Sequence, residues 1–365
     1  MSNDGYSFQQ AAWRRLRRNR AAMFGLIVIC LSLFLAIFAY LIAPDASPYA
    51  NRIILEIARK HPGYQQTFLK VKKEREVLQS GFLKRLFSGR EDKYYYVPIT
   101  AYELKNDSIV IQKFIDEEVS ERQSYHLAQT HAKDPIVKKK FLLGTDMYGR
   151  DILSRLIIGV RVSLGVGMIT VIISLTIGLV LGSLAGYFRG TVDDVIMWFM
   201  NVLWSIPTLL LVFAITLVLG KGFWQVFVAV GLTMWVSVAR LVRGQVLNAR
   251  ELEYVEATRA LGFSHARTIV VHIWPNIMGP VMVIAASNFA SAIVIEAGLS
   301  FLGIGVQPPQ PSWGLMIKEN YNFIITQNPM LALAPGFAIM LLVLAFNSFG
   351  NGLRDALNVR GKGIS

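Results

Sequence analysis

The sequence is poor in the residues that form disulfides, metal sites and charged surfaces. Its 365 residues include one cysteine, and only 17% are charged, against roughly 25% in ordinary soluble domains. The lone Cys30 lies inside an apolar run, so a disulfide framework and a cysteine metal site are both excluded. The five histidines also lack metal-ligand spacing, at His61, His126, His131, His265 and His272.

Catalytic motifs are absent as well. The sequence contains no G-x-x-x-x-G-K-[ST] phosphate loop, so the chain cannot cradle ATP in the usual way. It also contains neither H-E-x-x-H nor a G-x-S-x-G nucleophile elbow. We therefore expect no enzyme activity, no catalytic residue, no metal and no cofactor on this chain.

The chain is rich in long apolar runs: 53% of its residues are hydrophobic, and its mean hydropathy is +0.44. A helix needs about 20 apolar residues to cross a bilayer while satisfying its own backbone. Basic residues precede the first run as in a signal peptide, but no cleavage site clearly ends it, so we interpret it as a retained span. The sequence predicts an all-α polytopic membrane protein with six transmembrane helices, at 23–43, 158–186, 195–219, 223–242, 275–304 and 331–350.

The net charge of +13 is distributed beside the apolar runs and in one polar insert. This pattern reflects orientation in a membrane and argues against nucleic acid as a partner. The opposite short connections carry only Lys221 and Lys318, so both tails, 1–22 and 351–365, are expected in the cytoplasm. The residues on the cytoplasmic side are Arg14, Arg15, Arg17, Arg18, Arg20, Arg189, Arg240, Arg243, Arg250, Arg259, Arg267, Arg354, Arg360 and Lys362.

The connection at 44–156 is expected to lie outside the cell, because long loops translocate largely regardless of charge. Apolar residues scattered among charges from Ile53 to Leu78 suggest an amphipathic helix. The runs 94–99 and 108–111 suggest short strands. We expect a small mixed α/β extracytoplasmic domain at about 48–140, with a flexible charged excursion as the alternative.

A polar loop at 243–274 interrupts the five-helix core that is predicted for 157–350. Helical spacing at 255–261 is followed by Gly262, a natural helix stop. A cytoplasmic helical hairpin of this kind suits docking to another protein. A helix lying on the membrane surface is the alternative.

The loop resembles the EAA loop of ATP-binding-cassette importer permeases. Four positions match that pattern, at Glu256, Ala257, Gly262 and Pro275, and three depart from it, at Thr258, His272 and Trp274. In that family the short helix sits in a cleft on the nucleotide-binding subunit, and ATP and Mg²⁺ belong to that partner. The resemblance implies that the ATPase-coupling residues are Glu253, Glu256, Ala257, Thr258 and Gly262.

Further motifs resemble the dipeptide/oligopeptide permease family, closest to its second, C-type member. They are LGTDMYGRDILSR at 143–155, G-x-R-x-S-L at 159–164, GYFRG at 186–190, LSFLGIGVQPP at 299–309, SWG at 312–314 and NSFGNGLRD at 347–355. The resemblance implies a bacterial inner-membrane heterodimer of two permeases, two ATPase subunits and an extracytoplasmic substrate-binding protein. Import of nickel or another small solute is the nearest alternative to peptide import, and a non-transport scaffold or sensor is a more distant one.

Polar residues within or beside the predicted spans are candidates for the transport pathway. Asn201 and Ser205 precede Pro207, where they can line a pathway or form hydrogen bonds between helices. Glu296 lies inside the fifth span, where an acid is costly and is by default a functional candidate; we favour a structural pairing, with Arg161 or with a basic residue of another permease. A structural ion-pair cluster at the entry to the second span is expected from Asp146, Arg150 and Asp151, with contact to the substrate as the alternative.

Overall fold

The computed structural model describes residues 8–75, 81–116, 118–131, 134–220, 222–323 and 328–357. Two compact units are recognised within the chain, and each is described below by itself. Predictions for the extreme ends of both tails, for Val77 and Leu78, and for Lys221 fall outside the described residues.

The helices follow the predicted apolar runs but extend past most of their predicted ends. Five are long and apolar enough to cross a membrane: α2 (Arg20–Ile42), α4 (Ile152–Phe188), α7 (Phe223–Arg250), α9 (His265–Leu302) and α11 (Met330–Leu357). The remaining helices are α1 (Phe8–Arg18), α3 (Phe82–Ser88), α5 (Gly190–Trp204), α6 (Thr208–Leu219), α8 (Glu253–Ala260) and α10 (Trp313–Asn320).

The segment 195–219, expected as one span, is broken. Helices α5 and α6 meet at an angle of 92°. Pro207 lies at the break. The helix ends there because the proline ring lacks an N–H donor and disfavours helical backbone at the preceding residue. The described chain thus contains five continuous apolar helices and one bent pair.

The fifth span also begins earlier than predicted, at His265 instead of residue 275. Its first turns widen into a π-helix at Thr268–Ile273, and the Trp274 N–H donates to the Ile269 carbonyl five residues back. Pro275 follows directly and has no N–H to donate to the carbonyl four residues before it. A wide turn at this point accommodates the proline inside a continuous helix, so Pro275 does not mark the helix start.

The unit that comprises 34–162 and 308–338 contains a five-stranded antiparallel sheet. The strands are β1 (Tyr64–Lys72), β2 (Tyr94–Lys105), β3 (Ser108–Asp116), β4 (Val119–His126) and β5 (Ile136–Phe141), in the order β4-β3-β2-β1-β5. The two predicted strand runs lie within β2 and β3. Asn106, at the turn between them, has the positive φ of 45° that tight hairpins require.

The prediction of an amphipathic helix between Ile53 and Leu78 is wrong, because strand β1 occupies the middle of that segment. Phe68 and Leu69 are adjacent in sequence and both fully buried. Phe68 packs into a cluster with Ile57 and Phe114 on one face of the sheet, and Leu69 into a second cluster on the other face. Because both faces of β1 are covered, apolar residues occur at consecutive positions instead of at every second one. Such a run cannot be told from a helix by its periodicity.

A buried ion-pair cluster orders the segment that precedes α4, as predicted. Asp146 accepts from Arg150 Nε at 2.6 Å, and Glu319 of α10 accepts from Arg150 Nη2 at 2.7 Å. Arg155, only 1% exposed, lies within 4 Å of both carboxylates. Asp151 differs from the prediction, since it caps α4 by accepting from the Ser154 N–H at 2.9 Å.

Candidate functional site

Helix α8 is a two-turn element that ends in a glycine-dependent cap. The Gly262 N–H donates to the Arg259 carbonyl at 2.9 Å, and the Phe263 N–H donates to the Thr258 carbonyl at 3.1 Å. This pair of bonds is the Schellman arrangement, which needs a left-handed residue at its centre. Gly262 supplies it with φ of +75°, and no atom lies within 4 Å of where its Cβ would be. Gly262 is therefore required by backbone geometry and faces open space.

The predicted coupling residues fall on two faces of α8. Glu253, Glu256 and Ala257 are exposed, whereas Val255 is fully buried and Thr258 is 5% exposed. The acids lie in the first turn, where the helix dipole favours negative charge. Thr258, named from the sequence as a coupling residue, lies on the buried face.

Thr258 and Tyr254 connect α8 to α9. The Thr258 hydroxyl donates to the Val255 carbonyl at 2.7 Å and lies 3.3 Å from the Thr268 hydroxyl. The Tyr254 hydroxyl accepts from Asn276 Nδ2 at 3.1 Å. Both contacts reach α9 at or beside its π-helical turn. Helix α8 is thus joined to the one irregular stretch of that span.

Two departures from the EAA pattern form hydrogen bonds. Thr258 stands where the family has alanine and contacts Thr268. Trp274 stands where the family has leucine and donates from Nε1 to Ser183 Oγ of α4 at 2.9 Å. The third, His272, stacks on Phe263 with the ring centroids 5.6 Å apart. These three side chains fasten the hairpin to the helices that it joins.

A continuous apolar cluster runs from α8 along two spans. Val255 packs with residues of α7 and α9, and Tyr187 closes the cluster at the end of α4. The Tyr187 hydroxyl lies 3.1 Å from His265 Nδ1, and its carbonyl accepts from Arg250 Nη1 at 2.6 Å. The α7 and α9 members are Val238, Val242, Val246, Ala249, Ile269, Ile273, Ile277 and Val281.

A cavity of about 580 Å³ lies farther along the same two spans, hereafter the α7–α9 cavity. Helices α5, α6 and α11 complete its wall. Among the described residues around it, the side chains carry hydroxyl, amide, indole, thioether and aliphatic groups, without an ionisable one. Its polar lining residues are Thr208, Thr233, Ser237, Asn288, Ser291 and Asn347.

None of the three pathway candidates named from the sequence lines this cavity. The Asn201 carbonyl oxygen accepts from Arg240 Nη2 at 3.3 Å, and Ser205 donates to the Val202 carbonyl at 2.8 Å. Glu296 is fully buried and accepts from Ser300 Oγ at 2.6 Å. Arg161, considered as its partner, donates instead to the Phe87 carbonyl. The cavity residues were missed because uncharged polar side chains in an apolar run give no sequence signal beyond helix-to-helix hydrogen bonding.

Metal binding has no candidate among the described residues, since no group of three or more His, Cys, Asp or Glu side chains is placed to hold an ion.

Two family models match this chain. The N-terminal TM domain of oligopeptide transport permease C matches residues 7–61. The binding-protein-dependent transport system inner membrane component matches residues 178–361. The chain belongs to this family of inner-membrane transport components. The resemblance to dipeptide and oligopeptide ABC permeases is confirmed, and the permease is a multi-pass inner-membrane protein.

Several curated relatives resemble this permease over most of their length. It is 41% identical over 220 residues to the glutathione transport system permease protein GsiD of Pectobacterium atrosepticum, covering 60% of this chain and 73% of that one. It is 43% identical over 223 residues to the di/tripeptide permease DppC of Pseudomonas aeruginosa, covering 61% and 73%. For the oligopeptide permease OppC of Bacillus subtilis the identity is 37% over 237 residues, covering 65% and 77%.

Among solved structures, a chain of the inward-facing MetNI methionine ABC transporter aligns with a TM-score of 0.46 and 18% identity. The alignment covers 57% of this chain and 98% of that one.

Proposed function

We propose that this permease is one of two transmembrane subunits of an ATP-driven importer of dipeptides or oligopeptides. Relatives at 37–43% identity are named for transport of glutathione, dipeptides, di/tripeptides or oligopeptides, which supports a peptide substrate. A heterodimer with a second permease, two separate ATPase subunits that bind ATP and Mg²⁺, and an extracytoplasmic substrate-binding protein complete the system. Both termini and α8 lie in the cytoplasm, and the insert lies outside.

The observation that carries the proposal is the two-faced geometry of α8. An exposed face with Glu253, Glu256 and Ala257 is available to an ATPase subunit, while Val255 and Thr258 hold the opposite face. Glu256 is suited to a charge-assisted hydrogen bond from a base on the partner. A helix lying on the membrane surface would instead present its apolar face to lipid, and here that face is buried in protein.

Helices α7 and α9 form the mechanical connection. Each touches α8 through the apolar cluster, and each lines the α7–α9 cavity farther along. A displacement of α8 when the ATPase pair closes is transmitted along both helices to the cavity walls. The α7–α9 cavity then lies on the transport pathway. Closure of the ATPase pair shifts the permease between its inward-open and outward-open states, which is alternating access.

A matched glycine pair tests the docking role. Gly262 and Gly63 both have positive φ, +75° and +83°, and both have open space around the missing Cβ. Gly262→Arg and Gly63→Arg therefore impose the same backbone strain, but only the first puts bulk beside the exposed face of α8. We expect Gly262→Arg to abolish both ATP-dependent uptake of a radiolabelled dipeptide and co-purification of the ATPase subunits, and Gly63→Arg to retain both.

The same uptake assay tests the substrate. Unlabelled dipeptides and oligopeptides should compete with the label, whereas nickel should not. Competition by nickel alone would move the assignment to the metal-importing alternative. Normal uptake and normal ATPase co-purification in Gly262→Arg would refute the docking role of α8.

A further inference from the structure

The insert contains a short helix whose apolar face is uncovered in the permease alone. Helix α3 exposes 66% of Phe82, 69% of Leu83 and 63% of Phe87, while Leu86, which lies between Phe82 and Leu83 around the helix, is buried. Burial of a large apolar side chain is worth about 1.5–3 kcal/mol. Residues 62–177 match neither family model, so the family assigns no role to this helix.

Helix α3 is fastened to the end of the first membrane span. A Cβ on Gly89, the residue after α3, would lie 2.9 Å from the Tyr40 ring, so helix end and ring are in close contact. Arg161 of α4 donates from Nη1 to the Phe87 carbonyl at 2.9 Å. Tyr40 is two residues from the end of α2 at Ile42, the level at which aromatic residues mark the membrane interface. The apolar face of α3 is therefore held at the depth where a span leaves the hydrocarbon core.

A basic pocket of about 340 Å³ adjoins α3, which contributes Arg85 to its wall. Among its described lining residues the only carboxylate is that of Asp92, which accepts from Arg52 Nε at 2.7 Å. The wall carries an excess of positive charge. Its Lys and Arg residues are Arg52, Lys70, Arg85, Arg90, Lys93 and Lys139.

The pKa of Lys139 reflects its burial beside Arg52, which the nearby carboxylates only partly offset. Burial, reinforced by the charge of Arg52, lowers the pKa of Lys139 to about 8. Its ammonium lies 3.8 Å from the Tyr96 ring centroid, and the Arg52 guanidinium lies 4.3 Å from the same ring centroid. An anion in the pocket would reduce the repulsion among these groups.

We propose that α3 and the basic pocket together bind an anionic phospholipid, with an acyl chain against Phe82, the helical neighbour of Arg85, and the headgroup phosphate in the pocket. A phospholipid joins an apolar chain to a phosphate, and α3 places the exposed Phe82 beside Arg85 of the basic wall, three residues apart on one side of the helix. Free phosphate matches the pocket but leaves the apolar face uncovered. The attachment of α3 to the end of α2 places both features at the bilayer surface, where amphipathic helices with basic residues bind.

The headgroup part is tested by thermal unfolding of the full-length permease in neutral detergent, titrated with phosphatidylglycerol, phosphatidylcholine or inorganic phosphate. We expect phosphatidylglycerol to raise the midpoint saturably and phosphatidylcholine to have at most a small effect. The triple variant R85A/R90A/K93A should weaken the apparent affinity for phosphatidylglycerol at least tenfold. The control K105A/K138A/K140A removes the same charge from exposed positions of the insert outside the pocket and should bind as the wild type does.

Equal affinity in the two triple variants would overturn the proposal. An equal response to inorganic phosphate would assign the pocket to a free anion and overturn the lipid assignment.

The acyl-chain part is tested by a nitroxide label at Phe82→Cys in a Cys30→Ala background, with the permease reconstituted in phospholipid bilayers. The control label is at Leu104→Cys, on β2 of the insert, where the native side chain is 65% exposed. We expect the label at 82 to be relaxed mainly by oxygen and the label at 104 mainly by a water-soluble nickel chelate. The same relaxation at both positions would show that α3 does not enter the bilayer.

Discussion

Thr258 and Thr268 place their hydroxyl oxygens 3.3 Å apart inside the hairpin between α8 and α9. Thr258 donates its own proton to the Val255 carbonyl, so the Thr268 hydroxyl is the donor between them. Thr268 is also the first residue of the π-helical turn. One hydrogen bond thus joins the exposed helix to the irregular turn of a membrane span.

Thr258→Val keeps the side-chain shape but removes this bond and leaves the fully buried Thr268 hydroxyl without it. An unsatisfied buried polar group costs about 1–3 kcal/mol. We expect the amides of α8 to exchange with deuterium roughly tenfold faster or more, as measured by mass spectrometry on the full chain. Thr176→Val is the control, because the exposed Thr176 hydroxyl bonds only within its own helix, to the Ile172 carbonyl. Wild-type exchange in α8 would show that the threonine pair is not what holds it.

The glycines of α4 that lie against α7 are expected to be essential for stability, because the two helices approach closely there. A Cβ at Gly182 would lie 2.5 Å from the Ala239 carbonyl oxygen and 2.8 Å from the Val242 Cβ. Gly182→Val must separate the two helices, at a cost of about 1–3 kcal/mol or more. Thermal unfolding in detergent should show a lower midpoint. Gly165→Val lies on the same helix with nothing within 4 Å of its Cβ, so its midpoint should change little; equal losses would refute the close-packing explanation.

The ion-pair cluster before α4 is expected to depend on Asp146. Asp146 and Arg155 are each about 1% exposed, and Asp146→Asn leaves two buried arginines with Glu319 alone. Breaking a buried pair by removing one charge costs about 3–5 kcal/mol. The unfolding midpoint should therefore fall strongly. The control is Glu103→Gln, which removes an ion pair whose side chains are 70% (Glu103) and 57% (Lys105) exposed. It should leave the unfolding midpoint unchanged.

Stability is expected to rise with pH above about pH 8 because of Lys139. Burial holds the pKa of Lys139 at about 8, below its ordinary 10.5, so the unfolded chain binds more protons between these values. The charged lysine destabilises the fold fully below pH 8, and this effect disappears as the pH rises to 10.5. In lipid-free detergent, Lys139→Met should raise the unfolding midpoint at pH 7.5 and flatten its rise between pH 8 and 10.5. Lys140→Met, at an exposed neighbouring position, should leave the pH profile as in the wild type.

The apolar runs were predictable because span length and hydropathy are local properties of the sequence. Their irregularities were less so. Pro207 sharply breaks one predicted span, whereas Pro275 sits inside a continuous helix behind a π-helical turn. The same residue type therefore has opposite outcomes, and the difference lies in the π-helical turn that accommodates Pro275 and has no counterpart before Pro207.

The candidate site was predictable where backbone geometry demanded a particular residue, as at Gly262. It was not predictable where a side chain had two possible faces. Thr258 was named as a coupling residue without an assigned face, and only the packing against Thr268 reveals its buried position. Similarly, Asn288 lines the cavity while the more conspicuous acid Glu296 bonds to Ser300 on its own helix.

The central claim is that α8 docks on an ATPase subunit, and site-specific photo-cross-linking at Ala257 tests it most directly. A photoreactive residue replaces the exposed Ala257 in the full permease, co-expressed with the two proposed ATPase subunits; the control position is Leu104 of the insert. The prediction is a covalent adduct between position 257 and an ATPase subunit, with no such adduct from position 104. Adducts with lipid alone at position 257, in membranes that contain both ATPase subunits, would contradict it.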